Sequence, residues 1–526
     1  MTMSDAPACP ESGLARSASI LGLGNIASRV IGLARESIIS GYYGSAGELS
    51  AFNLAARVPT MIYDLLVGGM LSAALVPVFS DYARRPPREE LARVVSAVFS
   101  LIAIVMAGIV ILLELFAAPL AGLLGDFEDP ALQQVLTNSL RIISPAVIFF
   151  GLSGAVTGLL YALRRFSYTA VSGAVFNLGI VFAVPLLASR LGVYALPIGV
   201  VGGSLLQLAV MAPGLRGIAL RFSAAWRHPA VRRVLRLYLP IALGLIITQI
   251  QIIVDGRWAS ATGSQSVSWM RYATTLIQFP LGLVPVAVSL AALPTLSRHA
   301  AQADWDSFRS VLGRGLRLVL LLLLPATAGL WMLAAPVIRL LFEHGVFQSA
   351  DTAMTVRALH LYLLGLPFAG VDFLLNYTFY ARQNTRTPAI VGVISVGFYF
   401  VAALLLKGPL GFLGLVLADS VKQAAHASIM VALLLRSVGR PRDENLLATF
   451  VRAAAAAAVM ALALWLLIPP LEGALPRGVV GEAAVVAVAS AAGGALYLLI
   501  LRLLGVGELS ALVAGLTSRL TRRGGS

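Results

Sequence analysis

The 526-residue chain contains very little cysteine, histidine and charge. Its one cysteine, Cys9, excludes a disulfide within the chain, and its five histidines are scattered, with no HExxH motif and no paired cysteines. We therefore expect no metal site and no cofactor. Only 12% of the residues are charged, about half the share typical of soluble domains. A soluble globular protein is thereby excluded.

Apolar runs take the place of the missing charge. Hydrophobic residues make up 59% of the chain, and its mean hydropathy is +0.88. A run of about 20 residues crosses a membrane as a helix, and strand-like alternation is missing. We predict an all-α polytopic membrane protein with about fourteen transmembrane helices. The predicted spans are 17–43, 50–80, 91–124, 132–162, 167–189, 194–220, 234–260, 266–297, 308–341, 350–381, 387–406, 410–435, 446–469 and 479–503.

Basic residues are distributed unevenly between the connections. The formal net charge is +15, yet the odd-numbered connections, such as GYYGSAGELS and SATGSQS, hold few of the arginines. The even-numbered connections and the ends of the chain are rich in them, as the positive-inside rule describes for cytoplasmic segments. We predict cytoplasmic tails at 1–16 and 504–526, no cleaved signal peptide, and no nucleic acid as partner. Examples are Arg84, Arg85, Arg88, Arg164, Arg165, Arg227, Arg232, Arg233, Arg236, Arg436, Arg440 and Arg442.

Several cationic residues nevertheless fall inside the predicted spans. Each costs at least about 2.5–3.5 kcal/mol at the centre of a membrane helix, so it should face a protein interior or a wet cavity. Arg29 lies about 18 Å into the first span, and Glu36 is on nearly the same face seven residues later. Arg35, Arg57 and Arg271 are placed toward the outer half of the membrane. Because guanidinium groups bind phosphate bidentately, we expect an anionic cargo such as a phosphate or diphosphate.

An internal repeat divides the chain. The stretch LSAALVPVFS at 71–80 returns as VSLAALPTLS at 288–297. The repeat predicts two parallel six-helix lobes, 17–220 and 221–435, followed by two further helices within 436–503. Prolines inside the spans mark expected kinks: Pro59, Pro145, Pro280, Pro285 and Pro367.

Four motifs resemble the MurJ/MviN family of lipid II flippases: SRVIGLARE, GSQSVSWMRYATTLIQFPLGLVPVAVSLAALPTLS, LFEHGVFQSADTAMTVRAL and FYARQNTRTP. The resemblance covers nearly the whole chain. It implies alternating access in the bacterial inner membrane, with lipid II or a related polyprenyl-diphosphate glycolipid held in a cationic cavity. It also implies a groove for the lipid tail in the two last helices, contact with membrane lipids, and partners in cell-wall synthesis.

Functional residues follow from this resemblance only where the motifs match. The resemblance assigns cargo binding to Arg29, Arg35, Glu36 and Arg57, and less directly to Asn53. Departures from the family pattern occur at Asp64 and at Thr275, which stands where the family usually has an arginine. Arg271, one turn before Thr275, either replaces that arginine or only snorkels to water. For ion coupling the resemblance points to Asp255, and the i, i+3 spacing of Asp419 and Lys422 predicts an internal ion pair. Coupling to a monovalent cation or to the membrane potential stays open.

Other functions compete with this interpretation. The departures leave open a flippase for another polyprenyl-diphosphate oligosaccharide, or a transport-dead scaffold for the cell-wall machinery. A multidrug exporter would need acidic, aromatic cavity residues in place of the arginines. No nucleophile–base pair or phosphate loop indicates an enzyme.

Overall fold

Helices make up nearly the whole of the computed structural model, which describes residues 11–66, 70–84, 88–440, 446–476 and 478–506. Within these ranges the chain forms eighteen α-helices. They are α1 Glu11–Tyr43, α2 Gly47–Leu66, α3 Met70–Ala83, α4 Arg88–Leu115, α5 Ala117–Leu124, α6 Pro130–Ile143, α7 Ala146–Ala162, α8 Phe166–Leu191, α9 Ala195–Met211, α10 Pro229–Ala261, α11 Ser266–Ala301, α12 Trp305–Met332, α13 Ala334–Phe342, α14 Ser349–Ala381, α15 Arg386–Leu410, α16 Phe412–Val438, α17 Leu446–Ala474 and α18 Val479–Leu503.

The polytopic all-α class predicted from the sequence is confirmed, and each predicted span overlaps one or two of these helices. In the described part of the chain, eight helical segments are long and apolar enough to cross a membrane, or nine if one bent pair counts as a single span. One of the eight, Phe166–Leu215, covers the predicted span 167–189 and most of the next one, 194–220. The number fourteen stays a prediction.

Some predicted spans are interrupted. The span 91–124 is divided at Phe116 into α4 and α5, and 132–162 is divided into α6 and α7, which meet at an angle of 44°. Pro145 lies at this bend, where its ring cannot donate a backbone hydrogen bond. The kink predicted at Pro145 is therefore confirmed.

The chain forms two compact units, Met1–Ser268 and Trp269–Ser526. In the first unit, α1 packs against α8, α8 against α9, and α3 against both α7 and α10. A core of buried apolar side chains, including Leu75, Phe79, Val94 and Leu159, joins α3, α4, α7 and α10. Because α10 belongs to this unit, the unit extends beyond the predicted 17–220 lobe; the lobe boundaries stay a prediction.

The second unit has two groups of helices. One consists of α14, α15 and α16, and in the other α17 and α18 pack against α12. The hydroxyl of Tyr497 donates to the carbonyl of Leu321 at 2.8 Å, which fastens α18 to α12. An apolar cleft of about 300 Å³ lies between α12, α17 and α18, with Gly329, Met460 and Gly493 in its lining.

An ion cluster links three of the helices that line this apolar cleft. The Arg339 guanidinium on α13 contacts Glu472 near the end of α17 and, at 2.7 Å, Glu482 at the start of α18. A cation shared by two carboxylates holds the ends of three helices together. The end of α17 and the start of α18 are thus both fixed to α13.

Candidate functional site

The first candidate site is built on α1, around Arg35. Its Nη1 donates to the Asn177 side-chain oxygen at 2.8 Å, and its Nη2 to Glu36 at 2.5 Å. The side chains of Arg35 and Glu36 are only 16% and 5% exposed. Among the described residues, the buried Nε of Arg35 has no hydrogen-bond partner. The guanidinium therefore keeps an unused donor in an apolar surrounding.

Asn177 on α8 holds α1 in place. Its amide nitrogen donates to the carbonyl oxygens of Ser28 and Gly173, at 3.2 and 3.1 Å. The same side chain therefore binds the α1 backbone and accepts from Arg35. Arg29 follows Ser28 directly and is half-buried. Its part in cargo binding stays a prediction.

The second arginine of the candidate site is Arg57 on α2, which contacts α10. Its Nη1 donates to the carbonyl of Ile252 at 2.6 Å, and its Nη2 is 3.8 Å from the Asp255 carboxylate. Gly256 makes room, because a Cβ at that position would overlap the guanidinium. The structure thus joins Arg57 and Asp255, to which the sequence assigned different roles.

The remaining predicted cargo residues are less enclosed. Asn53 is half-buried on α2, and Asp64 is exposed near the end of that helix. Arg271 is exposed on α11 and belongs to the second unit. The Thr275 hydroxyl donates to the carbonyl of Arg271 at 2.9 Å, so both residues lie on one face of α11, as their spacing predicts. Their part in cargo binding stays a prediction.

In the second unit, α16 carries the predicted ion pair. Lys422 Nζ is 2.5 Å from the Asp419 carboxylate, as the i, i+3 spacing predicts, and 6.0 Å from the centre of the Tyr399 ring on α15. Both charged side chains are largely enclosed, with exposures of 19% and 27%. The pair is present, and its role in coupling stays a prediction.

One turn further along α16, the structure reveals residues that the sequence analysis missed. His426 Nδ1 is 2.6 Å from the carboxylate of Asp372 on α14, and Asn376 donates to the other oxygen of that carboxylate at 2.8 Å. The signal was an acidic residue inside the span 350–381. Because an acidic residue is as rare in an apolar helix as an arginine, Asp372 qualified as a candidate functional residue from the sequence.

Comparison with known proteins gives a consistent result along the chain. A family model described as "Lipid II flippase MurJ" matches residues 39–478. The lipid II flippase MurJ of Burkholderia cenocepacia is 31% identical over 451 residues, which cover 82% of this chain and 86% of that protein. A probable lipid II flippase MurJ of Vibrio cholerae is 30% identical, with 94% of this chain and 96% of the relative covered.

Solved structures agree in fold. A structure described as lipid II flippase MurJ in an inward closed conformation superposes with a TM-score of 0.77 at 24% identity, covering 91% of this chain and 97% of that one. An inward-facing multidrug resistance MATE transporter of the MOP superfamily gives a TM-score of 0.68 at 15% identity, covering 78% and 94%. At such identities the likeness concerns the fold alone.

Proposed function

Because this chain belongs to the MurJ family of lipid II flippases, a family of membrane transporters and not of enzymes, we propose that it moves lipid II from the cytoplasmic to the outer leaflet by alternating access. Its membrane nature and its bacterial relatives agree with a multi-pass protein of the inner membrane. The product of this step is the lipid-linked precursor that peptidoglycan synthesis consumes outside the membrane.

The observation that carries the proposal is the placement of Arg35 and Arg57 within helices of the first unit. Both guanidinium groups are mostly enclosed, and both keep donor capacity: Arg35 at Nε, and Arg57 at Nη2, which lies beyond hydrogen-bond distance of Asp255. A diphosphate offers charged oxygens for such donors, at a low local dielectric where each bond is strong. We assign headgroup binding to these two residues together with Arg29.

The tail of the cargo needs a different surface. The apolar cleft between α12, α17 and α18 has a volume of about 300 Å³ and an almost entirely apolar lining. Burying hydrocarbon there releases no net energy relative to bilayer, so the cleft serves to guide the tail and not to bind it tightly. We assign it to part of the polyprenyl chain.

Activity is tested by reconstitution. Purified protein in vesicles should equilibrate labelled lipid II between leaflets, and expression should rescue a cell depleted of its own lipid II flippase. Rescue by the wild type with failure of a transport-inactive variant supports the proposal. Exchange of a different polyprenyl-diphosphate oligosaccharide in place of lipid II favours the other-cargo alternative, and membrane insertion with no exchange of either favours a scaffold.

The orientation, with both termini in the cytoplasm, is a separate part of the proposal. Single cysteines in a Cys9→Ala background at Glu128 and Ser264, both exposed, should react with an impermeant thiol reagent added outside the cell. Cysteines at the exposed positions Ala225 and Gln302 should react only after the membrane is opened. The opposite labelling pattern would refute the orientation.

Partners follow from the same proposal. The basic cytoplasmic connections attract anionic lipid headgroups, each Lys or Arg near the surface contributing about 1 kcal/mol. Enzymes of cell-wall synthesis are the expected protein partners, because they consume lipid II once it reaches the outer leaflet. No bound cofactor is invoked for the chemistry, since translocation forms and breaks no covalent bond.

A further inference from the structure

The second unit contains an acid–imidazole pair that the proposed cargo site does not use. Asp372 on α14 and His426 on α16 are 14% and 13% exposed, in helices of predicted membrane spans. Ionisable groups are costly within the apolar part of a membrane and usually mark a functional site. We propose that Asp372 and His426 bind the proton whose downhill movement drives cargo translocation; this inference rests on the proposed flippase function.

The distance between the two groups favours a proton over a metal ion. His426 Nδ1 and the nearer Asp372 oxygen are 2.6 Å apart, the length of a charge-assisted hydrogen bond. Two ligands of one metal ion each lie about 2 Å from it, which sets them roughly 3 Å apart or more. The space between these atoms therefore accommodates a hydrogen and no larger cation.

The proton enters at the other ring nitrogen. With Nδ1–H donating to Asp372, the second nitrogen, Nε2, is the acceptor of the neutral ring. It faces Gly392 on α15, where a Cβ would be 4.0 Å away, so no side chain of that residue covers it. Uptake of one proton at Nε2 changes the pair from a net charge of −1 to neutral.

Asn376 holds the Asp372 carboxylate in position during this change. Its amide nitrogen donates to the second Asp372 oxygen at 2.8 Å and to the Asp372 carbonyl at 3.0 Å. Both carboxylate oxygens are thus engaged whether His426 is neutral or charged. The carboxylate stays in place while the imidazole gains and loses its proton.

Other charged and titratable groups lie on the two helices of the pair and on the helices packed against them. On α16, Asp419 and Lys422 neutralise each other at 2.5 Å. On α14, Tyr380 interacts electrostatically with Asp372, and Tyr377 lies on the same helix. The helices packed against α14 and α16 carry Tyr399 on α15, Arg314 and Arg317 beside the Gly315–Leu374 contact of α12, and Arg339 of α13, which is paired with Glu472 and Glu482.

Within this group, histidine is the side chain that ordinarily changes charge between pH 5 and 8. Lys422 already supplies a fixed cation to Asp419, so that carboxylate is balanced in every state. Only the Asp372–His426 pair changes its net charge when a proton arrives. A neutral pair moves more readily through an apolar interior than a charged one, which gives α14 and α16 a reason to shift relative to α15 on protonation.

The test uses the full-length protein in vesicles that carry labelled lipid II. Exchange between leaflets without a gradient measures the proposed function. A gradient of about one pH unit should then concentrate lipid II in the leaflet facing the acidic side, by at most about tenfold per proton exchanged. This direction holds for either orientation of the inserted protein, because proton and cargo move oppositely.

Three variants assign the effect. His426→Gln keeps a donor for Asp372 but cannot gain a proton, and should lower the accumulation ratio to one. Asp372→Asn should do the same, and serves if His426→Gln fails to fold. The matched control is His360→Gln. His360 lies on α14, as Asp372 does, but it binds the Trp331 carbonyl at 3.0 Å and stacks on the Trp331 ring. It should accumulate cargo like the wild type.

Each outcome decides. Accumulation in the wild type and in His360→Gln, with a ratio of one in His426→Gln or Asp372→Asn, supports the proton site. Wild-type exchange that ignores the gradient overturns it while leaving the flippase function intact, as does full accumulation by His426→Gln. An equal loss in His360→Gln and His426→Gln also overturns it. If the wild type shows no exchange at all, the proposed function fails and the inference fails with it.

Discussion

The two units place charge in the membrane in different ways. The first unit uses arginine, with Arg35 beside Glu36 and Arg57 near Asp255. The second also has an arginine cluster at Arg339, and it adds histidine and lysine, with His426 against Asp372 and Lys422 against Asp419. Arginine stays charged at every physiological pH, whereas histidine does not. The two proposals follow this difference: a competing anion would act on the pairs of the first unit, and a proton on the Asp372–His426 pair of the second.

The pairs also differ in how they are supported. In the first unit, Asn177 links α8 to α1 by accepting from Arg35, a residue 142 positions earlier in the chain. In the second, Asn376 acts within one helix, on a carboxylate four residues away. The proposed anion site around Arg35 thus depends on the packing of α1 against α8. The Asp372 carboxylate is instead supported by a residue of its own helix.

The largest expected effect tests whether Arg35 binds cargo or only stabilises α1. Arg35→Ala should abolish rescue of flippase-depleted cells and lower the free energy of unfolding by about 3–5 kcal/mol, because Glu36 is buried beside it. Rescue assays and membrane levels measure the two effects. The control is the double variant Arg35→Ala/Glu36→Gln, which should recover protein level but not transport. Recovered transport would reduce Arg35 to a structural residue.

A smaller effect is expected from moving Arg57 without changing its charge. In Gly256→Ala the new methyl would overlap the Arg57 guanidinium and approach Leu54, so the flexible arginine must leave the Ile252 carbonyl. We expect lipid II exchange in vesicles to slow by about tenfold, which corresponds to 1.4 kcal/mol. The matched control is Gly108→Ala, where the described residues leave 4 Å clear around the new methyl. Equal rates in both variants would remove Arg57 from the cargo site.

The next prediction concerns the Lys422–Asp419 pair of the second unit. If its ammonium group takes the place of a bound sodium ion beside Asp419, wild-type exchange should not depend on sodium, and Lys422→Ala should acquire a severalfold stimulation by sodium. Initial exchange rates in sodium and in choline buffers measure this. Without any sodium response in the variant, the lysine is a structural partner of Asp419 and nothing more.

The smallest effect separates the two asparagines. Asn177→Ala should lower the free energy of unfolding by about 1–3 kcal/mol, since it takes an acceptor from a buried charged donor. Asn376→Ala, which removes a bond within α14, should cost about 1 kcal/mol or less. Thermal melts in detergent compare them. A larger loss for Asn376→Ala would contradict the difference in support between the units.

The sequence predicted the helical class well because the apolar runs are long and nearly free of charge. It missed the division of 91–124 at Phe116, since the composition stays apolar through the break and only the backbone geometry changes. The bend at Pro145 was predictable, because a proline, which lacks the backbone N–H, is visible in the sequence.

The site was predicted in part. Residues one turn apart on a helix were correctly brought together, as Asp419 with Lys422 and Arg271 with Thr275. Contacts between helices were not foreseeable: periodicity does not tell which face of α14 meets α16, so Asp372 and His426 had no reason to be paired across 54 residues. Helix periodicity fixes neighbours along one axis, and tertiary packing fixes the rest.

The fastening of the apolar cleft at Arg339 and at Tyr497 limits how a lipid tail can be loaded. Arg339 joins α13, α17 and α18, and Tyr497 joins α18 to α12, so the helices that line the cleft are tied to one another at two points. If the cleft holds a polyprenyl chain as proposed, these ties would hinder threading along the helices and favour entry sideways from the bilayer, by exchange with neighbouring acyl chains. A slot filled from the side is indifferent to the length of what protrudes, so the protein should tolerate long and short polyprenyl chains alike and select its cargo by the headgroup.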